Sequence, residues 1–351
     1  MERNMKIDKK VLTAFSVFVL VVGLVAFSAT AENESAKAKQ TAKSIEKTAP
    51  TPKPVVEKPK KKKLQVYILS GQSNMVGMGL VNGLDRLGTM ETVVKTDKKF
   101  QNMVNADGSW KVRDDVYFVD ITNGRTAMWM TVGCMAKGNR IGPETGFGFI
   151  MGDHHDEMVL VIKAAQGNRS LAFDVMPPSS RVGLPQGPGQ FYKGWQWNAF
   201  VKDIHKILDN LKDYFPAYDG KGYEVAGFCW WQGHKDKGMS QRYYERHLVN
   251  LIKDFRKEFD APDAKFAVAT VGFEGKNMSR AYKQILKAQM AVSDYKKYPK
   301  FKGNVASIDI REFWRGTSVS PKSSGSHYNL NAETYTLVGD ALGKAMVEMV
   351  K

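Results

Sequence analysis

The sequence predicts an α/β protein, a three-layer αβα sandwich whose central sheet is mainly parallel. Short apolar runs recur along the chain, segments with one apolar helical face lie between them, and polar motifs follow the ends of the runs. The runs are apolar at nearly every position, which is typical of parallel strands covered on both faces. Alternating strands and helices imply βαβ crossovers, and such sheets bind ligands beyond the carboxyl ends of their strands.

Five runs are predicted to form strands and four segments to form helices. The strands are Leu64–Leu69, Met158–Ile162, Val225–Trp230, Lys265–Val271 and Val305–Ile310. The helices are Asn198–Tyr214, Ser240–Phe259, Asn277–Tyr295 and Asn331–Val350. In the last helix, Asn331 is a suitable N-cap and apolar residues follow at spacings of three and four. Residues 77–140 are less regular and rich in Gly, Asp and Asn, which predicts a long insertion over the site.

The first 63 residues differ in composition from the rest. Residues 1–10 are basic, residues 11–30 are almost wholly apolar, and small residues of a cleavage site follow at once. This pattern predicts a secretory signal over residues 1–31, with an uncleaved membrane tether through residues 11–30 as the alternative. Residues 32–63 are rich in Lys, Pro and Ala, which predicts a disordered linker before one domain at 64–351. We therefore expect an exported protein that is secreted, periplasmic or attached to the cell envelope.

The formal net charge is +16, and its distribution argues against nucleic acid as the partner. Residues 1–63 contain 14 Lys and Arg against 6 Asp and Glu, so half of the excess lies ahead of the predicted domain. We interpret these lysines as part of a solvated linker. Adhesion of the lysine-rich segment to an anionic polysaccharide or to lipid headgroups is the alternative.

The two cysteines and the pair His154 and His155 are interpreted as structural. Cys134 and Cys229 lack a Cys-x-x-Cys spacing, and Cys229 lies in an apolar run where a small buried side chain is the ordinary explanation. We expect two unpaired thiols, although an oxidising compartment would permit a disulfide. His154 and His155 lie among three acidic residues, but adjacent side chains seldom converge on one ion, which favours a solvated turn over a metal site. The sequence predicts no metal and no cofactor.

Ser73 stands in Gly71-Gln72-Ser73-Asn74-Met75, directly after the first predicted strand. A turn at the end of a strand exposes a serine hydroxyl and fixes its direction, which suits a nucleophile. From these residues alone, a serine that only caps a helix is the more common explanation.

Five motifs in this order resemble those of the SGNH hydrolases, and among them the sialate O-acetylesterase-like group that includes carbohydrate esterase family six. They are Gly71-Gln72-Ser73-Asn74-Met75, Ile141-Gly142-Pro143-Glu144-Thr145-Gly146-Phe147-Gly148, Lys163-Ala164-Ala165-Gln166-Gly167-Asn168, Trp230-Trp231-Gln232-Gly233-His234-Lys235-Asp236, and His327 just ahead of the last helix. The resemblance spans Leu64 to Lys351. It implies a flavodoxin-like fold and a serine esterase that removes O-acetyl groups from carbohydrate, of the sialate or xylan type, through an acyl-enzyme. The expected partner is an acetylated oligo- or polysaccharide.

The resemblance also implies roles for individual residues. Ser73 is the expected nucleophile and His327 the expected base, since an imidazole titrates near neutral pH. The expected oxyanion hole consists of the backbone N–H of Ser73, of Gly167, and the side-chain amide of Gln232. Asn168 stands where many relatives carry glycine, and its amide either contributes to this hole or only caps a turn.

Two departures from the family pattern concern the third member of the triad. Ser324 stands where family members often place an aspartate, and His234 stands where relatives commonly have a glutamate. The acid must then come from elsewhere or be absent. Asp236, in the same predicted loop as Gln232, is the first choice, and Asp309 is the second. A catalytically weak or inactive glycan-binding protein of the same fold is therefore the alternative function.

Aromatic residues predict where a sugar would bind. Trp195 and Trp197 are flanked by Lys, Gly, Gln and Asn, and they are the expected platforms for sugar rings. Trp231 and Gln72, which lie within the motifs, are also expected to contact substrate. Tryptophans of α/β proteins often belong to the core, so packing is the alternative for each of them.

Overall fold

A seven-stranded sheet forms the centre of the protein. The computed structural model describes residues 62–124, 126–135, 139–184 and 192–351, all of which belong to one compact unit. The strands are Leu64–Gly71 (β1), Gly79–Leu80 (β2), Val116–Asp120 (β3), Thr126–Trp129 (β4), Arg140–Ile141 (β5), Val159–Ala165 (β6), Tyr223–Trp231 (β7), Lys265–Ala269 (β8) and Val305–Ile308 (β9). The helices are Ser73–Val76 (α1), Pro143–His154 (α2), Trp195–Asp209 (α3), Leu211–Tyr214 (α4), Gln241–Glu258 (α5), Arg280–Ala291 (α6) and Ala332–Val350 (α7).

The strand order places β1 at the point where the chain changes direction across the sheet. The order is β4-β3-β6-β1-β7-β8-β9, and every pairing is parallel except that of β3 with β4. After β1 the chain builds the β6 side of the sheet, and it then returns to build the β7 side. Ligands of such sheets bind at this switch point, beyond the carboxyl ends of the strands. The carboxyl end of β1 is therefore where a site is expected. β2 and β5 form a separate antiparallel pair.

Helices cover both faces of the sheet. In β7, a Cβ added to Gly227 would lie 2.8 Å from Met346 of α7, whereas the next residue, Phe228, stacks on Phe255 of α5 at 5.3 Å between ring centroids. Successive side chains of a strand point to opposite faces, so α7 and α5 lie on opposite sides. α2 packs against α7 on the first side, and Trp197 of α3 packs against Phe255 on the second. The predicted three-layer αβα fold with a mainly parallel sheet is confirmed.

All five predicted strands and all four predicted helices are present, with ends that differ by a few residues. The helix predicted over 198–214 begins earlier and is divided at Asn210, whose φ of −129° is not helical. The one predicted over 277–295 is shorter, because a 3₁₀ turn at Gly275–Asn277 and the extended Ser279 precede α6. The apolar pattern located these helices correctly, but it did not define their ends.

The interpretation of residues 77–140 as a long insertion is wrong in part. β3 lies within this stretch, is buried at all five positions, and pairs between β4 and β6 inside the central sheet. Its apolar run is short and lies among polar residues, which concealed it. β4 is an edge strand with two exposed residues, so its sequence lacks the continuous apolar character of a buried strand.

Several expectations concern residues that are not described. The signal segment 1–31, the apolar stretch 11–30 and the linker apart from Lys62 and Lys63 all lie outside the described residues. Within the described part of the chain, no helix is long and apolar enough to cross a membrane.

Cys134 and Cys229 are buried and free, which confirms the expectation of unpaired thiols. The same described ranges contain no group of three or more His, Cys, Asp or Glu side chains placed to hold a metal ion.

Candidate active site

Ser73 is placed by a tight approach between β1 and β7. A Cβ added to Gly71 would lie 2.2 Å from the carbonyl oxygen of Trp231, so only glycine fits where β1 ends. The next residue, Gln72, donates its backbone N–H to the same carbonyl at 3.3 Å. Ser73 then begins the short helix α1. The chain therefore turns at the carboxyl end of the central strand with the serine at the turn.

The side chain of Gln72 holds the loop that follows β7. Its Oε1 accepts hydrogen bonds from the backbone N–H groups of Gly233 and Lys235, each at 3.2 Å, and the residue is 1 % exposed. Gln72 lines the pocket described below, as a substrate-binding residue would. Its carbonyl oxygen is nevertheless occupied by the protein itself.

A buried ion pair fixes α1 from behind. The Lys163 ammonium of β6 pairs with the Glu144 carboxylate of α2, and both side chains are fully buried. Lys163 also donates to the carbonyl oxygen of Val76 at 2.8 Å, and Glu144 accepts from the N–H of Gly142 at 3.0 Å. Removing either charge would leave the other buried and unpaired, which typically costs about 3–5 kcal/mol. The helix that carries Ser73 is therefore tied to β6 and α2.

His327 lies in a strained turn that other residues hold in place. It belongs to the segment Gly325–Leu330, and the three residues after it have positive φ, namely Tyr328 (47°), Asn329 (55°) and Leu330 (58°). Such backbone conformations cost roughly 1–3 kcal/mol each and persist only where surrounding contacts enforce them. The buried hydroxyl of Tyr328 accepts from the N–H of Gly272 at 3.0 Å, and the Asn329 side chain accepts from the N–H of Ser324 at 2.9 Å.

The two turns bring Ser73 and His327 together. Ser73 Oγ and His327 Nε2 lie 3.1 Å apart, within hydrogen-bond reach for a nucleophile and its base. Asn74 joins the two turns, because its Nδ2 donates to the carbonyl oxygen of Ser326 at 3.3 Å and its Oδ1 accepts from the hydroxyl of Tyr335 at 2.8 Å. The sequence motif contains Asn74 but gave no reason to assign it this role.

His327 has no acidic partner among the residues that the structure describes. Among the described residues its ring hydrogen-bonds only to Ser73, and burial together with the nearby Arg140 guanidinium lowers the pKa of His327. The neutral imidazole is the form that accepts a proton, so the base remains available below the usual imidazole pKa of about 6.5. The imidazolium formed during catalysis, however, would lack a charged neighbour to stabilise it.

The expectation that Asp236 completes a triad is corrected by its hydrogen bonds. The carboxylate is buried and accepts from the N–H of Leu171 at 2.8 Å, from the N–H of Ala172 at 3.2 Å and from Nε2 of Gln232 at 2.6 Å. Burial raises the pKa of Asp236. These bonds join the loop after β6 to the loop after β7, so Asp236 is a clamp between two loops.

Asp309, the second choice, is also engaged elsewhere. Its carboxylate binds the Arg311 guanidinium at 2.6 Å, and that contact lowers the pKa of Asp309. Ser324, by contrast, lies in the same turn as His327, whose backbone N–H donates to the Ser324 carbonyl at 2.9 Å. The position at which relatives carry an aspartate is therefore close to the base, but here it provides only a hydroxyl.

Two backbone donors lie beside the serine. A Cβ added to Gly167 would lie 3.9 Å from the Cβ of Ser73. Neither the N–H of Ser73 nor that of Gly167 has an acceptor within the described ranges. Free N–H groups next to the nucleophile are what an oxyanion hole requires.

The third expected donor, Gln232, does not face the serine. Its Nε2 donates to the carbonyl oxygen of Arg169 at 2.9 Å and to Asp236, and its Oε1 accepts from the hydroxyl of Tyr244 at 2.8 Å. Both amide hydrogens are therefore used, which corrects the predicted role. Asn168 is better placed, because it lines the pocket, is exposed, and its side chain has no hydrogen bond to any described residue. Its φ of 58° fits a turn, so both of its expected roles agree with the geometry.

Ser73 and His327 line one pocket of about 430 Å³. The lining residues are Gln72, Ser73, Val76, Met78, Asn123, Gly167, Asn168, His234, Ser326 and His327, and none of them is acidic. The sequence did not indicate Val76, Met78, Asn123 or Ser326. Asn123 follows β3 and donates to the carbonyl oxygen of Ala165 at 2.8 Å; recognising β3 as a strand would have placed it at this edge of the sheet. A larger groove of about 920 Å³ lies along α5 and contains no motif residue.

Two of the three tryptophans that were expected to contact substrate are core residues. Trp197 is 2 % exposed and packs on Phe255, while Trp231 is 1 % exposed and packs on Tyr328 at 5.3 Å between ring centroids. Neither can stack on a sugar ring. Trp195 is partly exposed, donates from Nε1 to Asp174 at 3.1 Å, and carries a stacked Arg169 guanidinium at 4.7 Å. Trp195 as a sugar platform remains a prediction.

One protein family and several solved structures are similar to this chain. The family model described as carbohydrate esterase, sialic acid-specific acetylesterase, matches residues 63–347. A comparison with curated proteins found no match. Among solved structures, the chain is similar to a protein from Arabidopsis thaliana, with 16 % identity, 81 % of this chain and 98 % of that chain covered, and a TM-score of 0.49.

Two further solved structures are similar at lower scores. One is a carbohydrate acetylesterase from Xanthomonas citri, with 13 % identity, 80 % of this chain and 55 % of that chain covered, and a TM-score of 0.47. The other is a carbohydrate esterase family 2 enzyme with a carbohydrate-binding domain from Corynascus thermopiles (Myceliophthora fergusii), with 11 % identity, 82 % and 67 % covered, and a TM-score of 0.40.

Proposed function

Because the chain belongs to the sialic acid-specific acetylesterase family of carbohydrate esterases, we propose that it removes O-acetyl groups from an acetylated oligo- or polysaccharide through an acyl-enzyme on Ser73. Membership of the family supports a hydrolase that acts on carbohydrate esters. The proposal of an acyl-enzyme on Ser73 rests on the distance of 3.1 Å between Ser73 Oγ and His327 Nε2. No metal or cofactor takes part in the proposed reaction.

The first half-reaction forms the acetyl-enzyme. His327 Nε2 takes the proton of Ser73 as Oγ attacks the carbonyl carbon of the acetyl group. The carbonyl oxygen becomes negative and accepts hydrogen bonds from the N–H groups of Ser73 and Gly167, and the loss of one such donor typically costs about 2.7–4 kcal/mol of transition-state stabilisation. His327 then gives its proton to the sugar oxygen, the bond from that oxygen to the acetyl carbon breaks, and the sugar leaves.

The second half-reaction releases acetate. A water molecule attacks the acetyl carbon bound to Ser73 Oγ, and His327 takes a proton from that water. The same backbone donors stabilise the second tetrahedral intermediate. Its collapse returns the proton to Ser73 Oγ, so acetate leaves and the free serine is restored.

We propose that Ser73 and His327 act as a dyad. A triad aspartate orients the imidazole and stabilises its charged form, and a base held in the wrong tautomer can lose about four orders of magnitude in turnover. Here the orientation of His327 is supported by the enforced turn at Tyr328 and Asn329 and by the contact between Asn74 and Ser326. The charge is not balanced, so turnover is expected to be slower than in an enzyme with a complete triad.

The proposal is tested by measuring hydrolysis with the full chain. We expect release of 4-nitrophenol from 4-nitrophenyl acetate and of acetate from an acetylated xylooligosaccharide, with a loss of at least about 1,000-fold in Ser73→Ala. Ser318→Ala, an exposed serine on a separate turn, is the matched control and should retain wild-type rates. A wild type no faster than Ser73→Ala would contradict the proposal and favour a glycan-binding protein without turnover.

We also propose that the protein is exported. The support is the basic start, the apolar stretch 11–30 and the small residues before Glu32, which are typical of a secretory signal. The mature N-terminus and the cell fraction that contains the protein distinguish the cases. A start near Glu32 supports cleavage, and an intact Met1 in the membrane fraction supports a tether. The full-length chain in the soluble intracellular fraction would contradict export.

A further inference from the structure

His234 is a second imidazole in the pocket that holds Ser73 and His327. Its ring lies nearly parallel to that of Tyr282, with 5.8 Å between centroids and 26° between planes, and packs edge to face on Phe273 at 5.2 Å. Its Nδ1 lies 2.5 Å from the hydroxyl oxygen of Tyr282. The orientation of this half-buried ring is therefore fixed by two aromatic contacts and one hydrogen bond.

The hydrogen bond from Tyr282 determines where His234 carries its proton. Burial raises the pKa of Tyr282 to about 12, so the phenol keeps its hydrogen at neutral pH, and within the described ranges Nδ1 of His234 is its sole hydrogen-bond partner. Burial, and then the charges of Lys237, His327 and Lys235, lower the pKa of His234 and keep its ring neutral. A neutral imidazole that accepts at Nδ1 carries its hydrogen on Nε2.

The Nε2–H of His234 is free to bind a ligand. It has no acceptor among the described residues, and the nitrogen is accessible from the pocket. The two ring nitrogens of His247, a residue of α5, also lack a partner among the described residues, but they are enclosed. His234 lines the same pocket as the base His327 and the backbone donor Gly167. In the proposed reaction the base returns its proton to the sugar oxygen, so the departing sugar lies in the pocket that His234 and His327 share.

We propose that His234 is a specificity-determining residue whose Nε2–H donates a hydrogen bond to an oxygen of the departing sugar, and that Tyr282 is the residue that positions it. This inference rests on the proposed esterase function. An N–H donor differs from the glutamate that relatives commonly carry at this position, because a carboxylate only accepts hydrogen bonds. The chain would therefore select a sugar that presents an acceptor oxygen next to the acetylated position.

The test compares a sugar ester with an ester that presents no sugar oxygen. The full chain and its variants are assayed on two substrates. One is 4-nitrophenyl acetate. The other is an acetylated saccharide, either a xylooligosaccharide or O-acetylated N-acetylneuraminic acid, chosen as the one that the wild type hydrolyses faster. We expect His234→Ala to lower kcat/KM for the saccharide by about ten-fold or more, as expected for a lost hydrogen bond, and to change that for 4-nitrophenyl acetate by less than about two-fold.

Three further variants refine the comparison. Tyr282→Phe removes the hydrogen bond that fixes the ring and should lower saccharide turnover alone, by less than His234→Ala does. His234→Gln restores an N–H donor of similar reach and should recover part of the saccharide activity. His205→Ala, a histidine of α3 with a 40 % exposed side chain, is the matched control and should change neither activity.

Several results would overturn the inference. An equal loss on both substrates in His234→Ala would show that His234 supports the fold or the base. Unchanged saccharide turnover in that variant, or a wild type that cleaves 4-nitrophenyl acetate but neither saccharide, would also contradict it. Failure of the proposed function is distinguishable, because in that case the wild type would be no faster than Ser73→Ala on 4-nitrophenyl acetate.

Discussion

His327 combines a firmly held position with an uncompensated charge. Its ring lies 3.1 Å from Ser73 Oγ, while burial and Arg140 both oppose its protonation. The pKa of His327 is therefore below its usual value, and activity should be retained above that pKa and lost as the pH falls through it. We expect the acidic limb of kcat/KM to lie below about pH 6.5.

A carboxylate at position 324 should change this behaviour. Ser324 lies in the turn of His327, so in Ser324→Asp the new charge would favour the imidazolium and raise the pKa of His327. We expect the acidic limb to move to higher pH and kcat to rise by about ten-fold or more, because the charged base gains a partner. pH–rate profiles of wild type, Ser324→Asp and the uncharged control Ser324→Asn measure both effects. Identical profiles, or a wild-type limb above pH 6.5, would contradict this account of the base.

For single residues, the motifs predicted which residues lie near the site but not the direction of every side chain. Ser73 and His327 were predicted as partners because each occupies a motif position, and the structure places them together. Gln232 was predicted to face the serine for the same reason, yet Arg169, Asp236 and Tyr244 occupy its amide. The direction of a side chain depends on partners that are distant in sequence, and neither motif nor spacing reports them.

The loops after β6 and β7 act as one unit because Asp236 joins them. Replacing its carboxylate by an amide removes one acceptor for the N–H groups of Leu171 and Ala172, since an amide nitrogen cannot accept. We expect Asp236→Asn to lower the free energy of unfolding by about 1–3 kcal/mol. Turnover should also fall, because Gly167 lies in the loop that the clamp holds. Urea unfolding and steady-state kinetics measure the two effects.

The pH profile separates a clamp from a triad acid. Because Asp236 does not contact His327, the acidic limb of Asp236→Asn should remain at the wild-type pH. Asp309→Asn is the matched control; its partly exposed pair with Arg311 should change stability by less than about 1 kcal/mol. A shift of the limb in Asp236→Asn without loss of stability would restore Asp236 as the partner of His327.

Elements were predictable where burial gave them a continuous apolar sequence. β1, β6 and β7 pack in the middle of the sheet and were found, whereas β3 is short and lies among polar residues, so it was read as part of an insertion. The positive φ angles after His327 could not be predicted, because nothing in Tyr328, Asn329 or Leu330 requires them. They are enforced by the surrounding packing, which exists only in the folded chain.

For the whole molecule, the position of the site follows from topology. The chain changes direction across the sheet at β1, and three of the five motifs lie at the carboxyl ends of the neighbouring strands β1, β6 and β7. The order of motifs along the sequence therefore sufficed to predict one site at one edge. Whether an acid contacts the base depends on contacts between loops. In those contacts Asp236 binds Gln232 and joins the loops after β6 and β7.

The central claim is an acyl-enzyme on Ser73 that His327 helps to form. The most direct measurement is covalent labelling of the full chain with a 4-nitrophenyl phosphonate ester, followed by intact-mass and peptide-mass analysis. We predict a single adduct on the peptide that contains Ser73, no adduct in Ser73→Ala, and labelling slowed by at least about 100-fold in His327→Ala. A wild type that takes no label, or an adduct that persists in Ser73→Ala, would contradict the account.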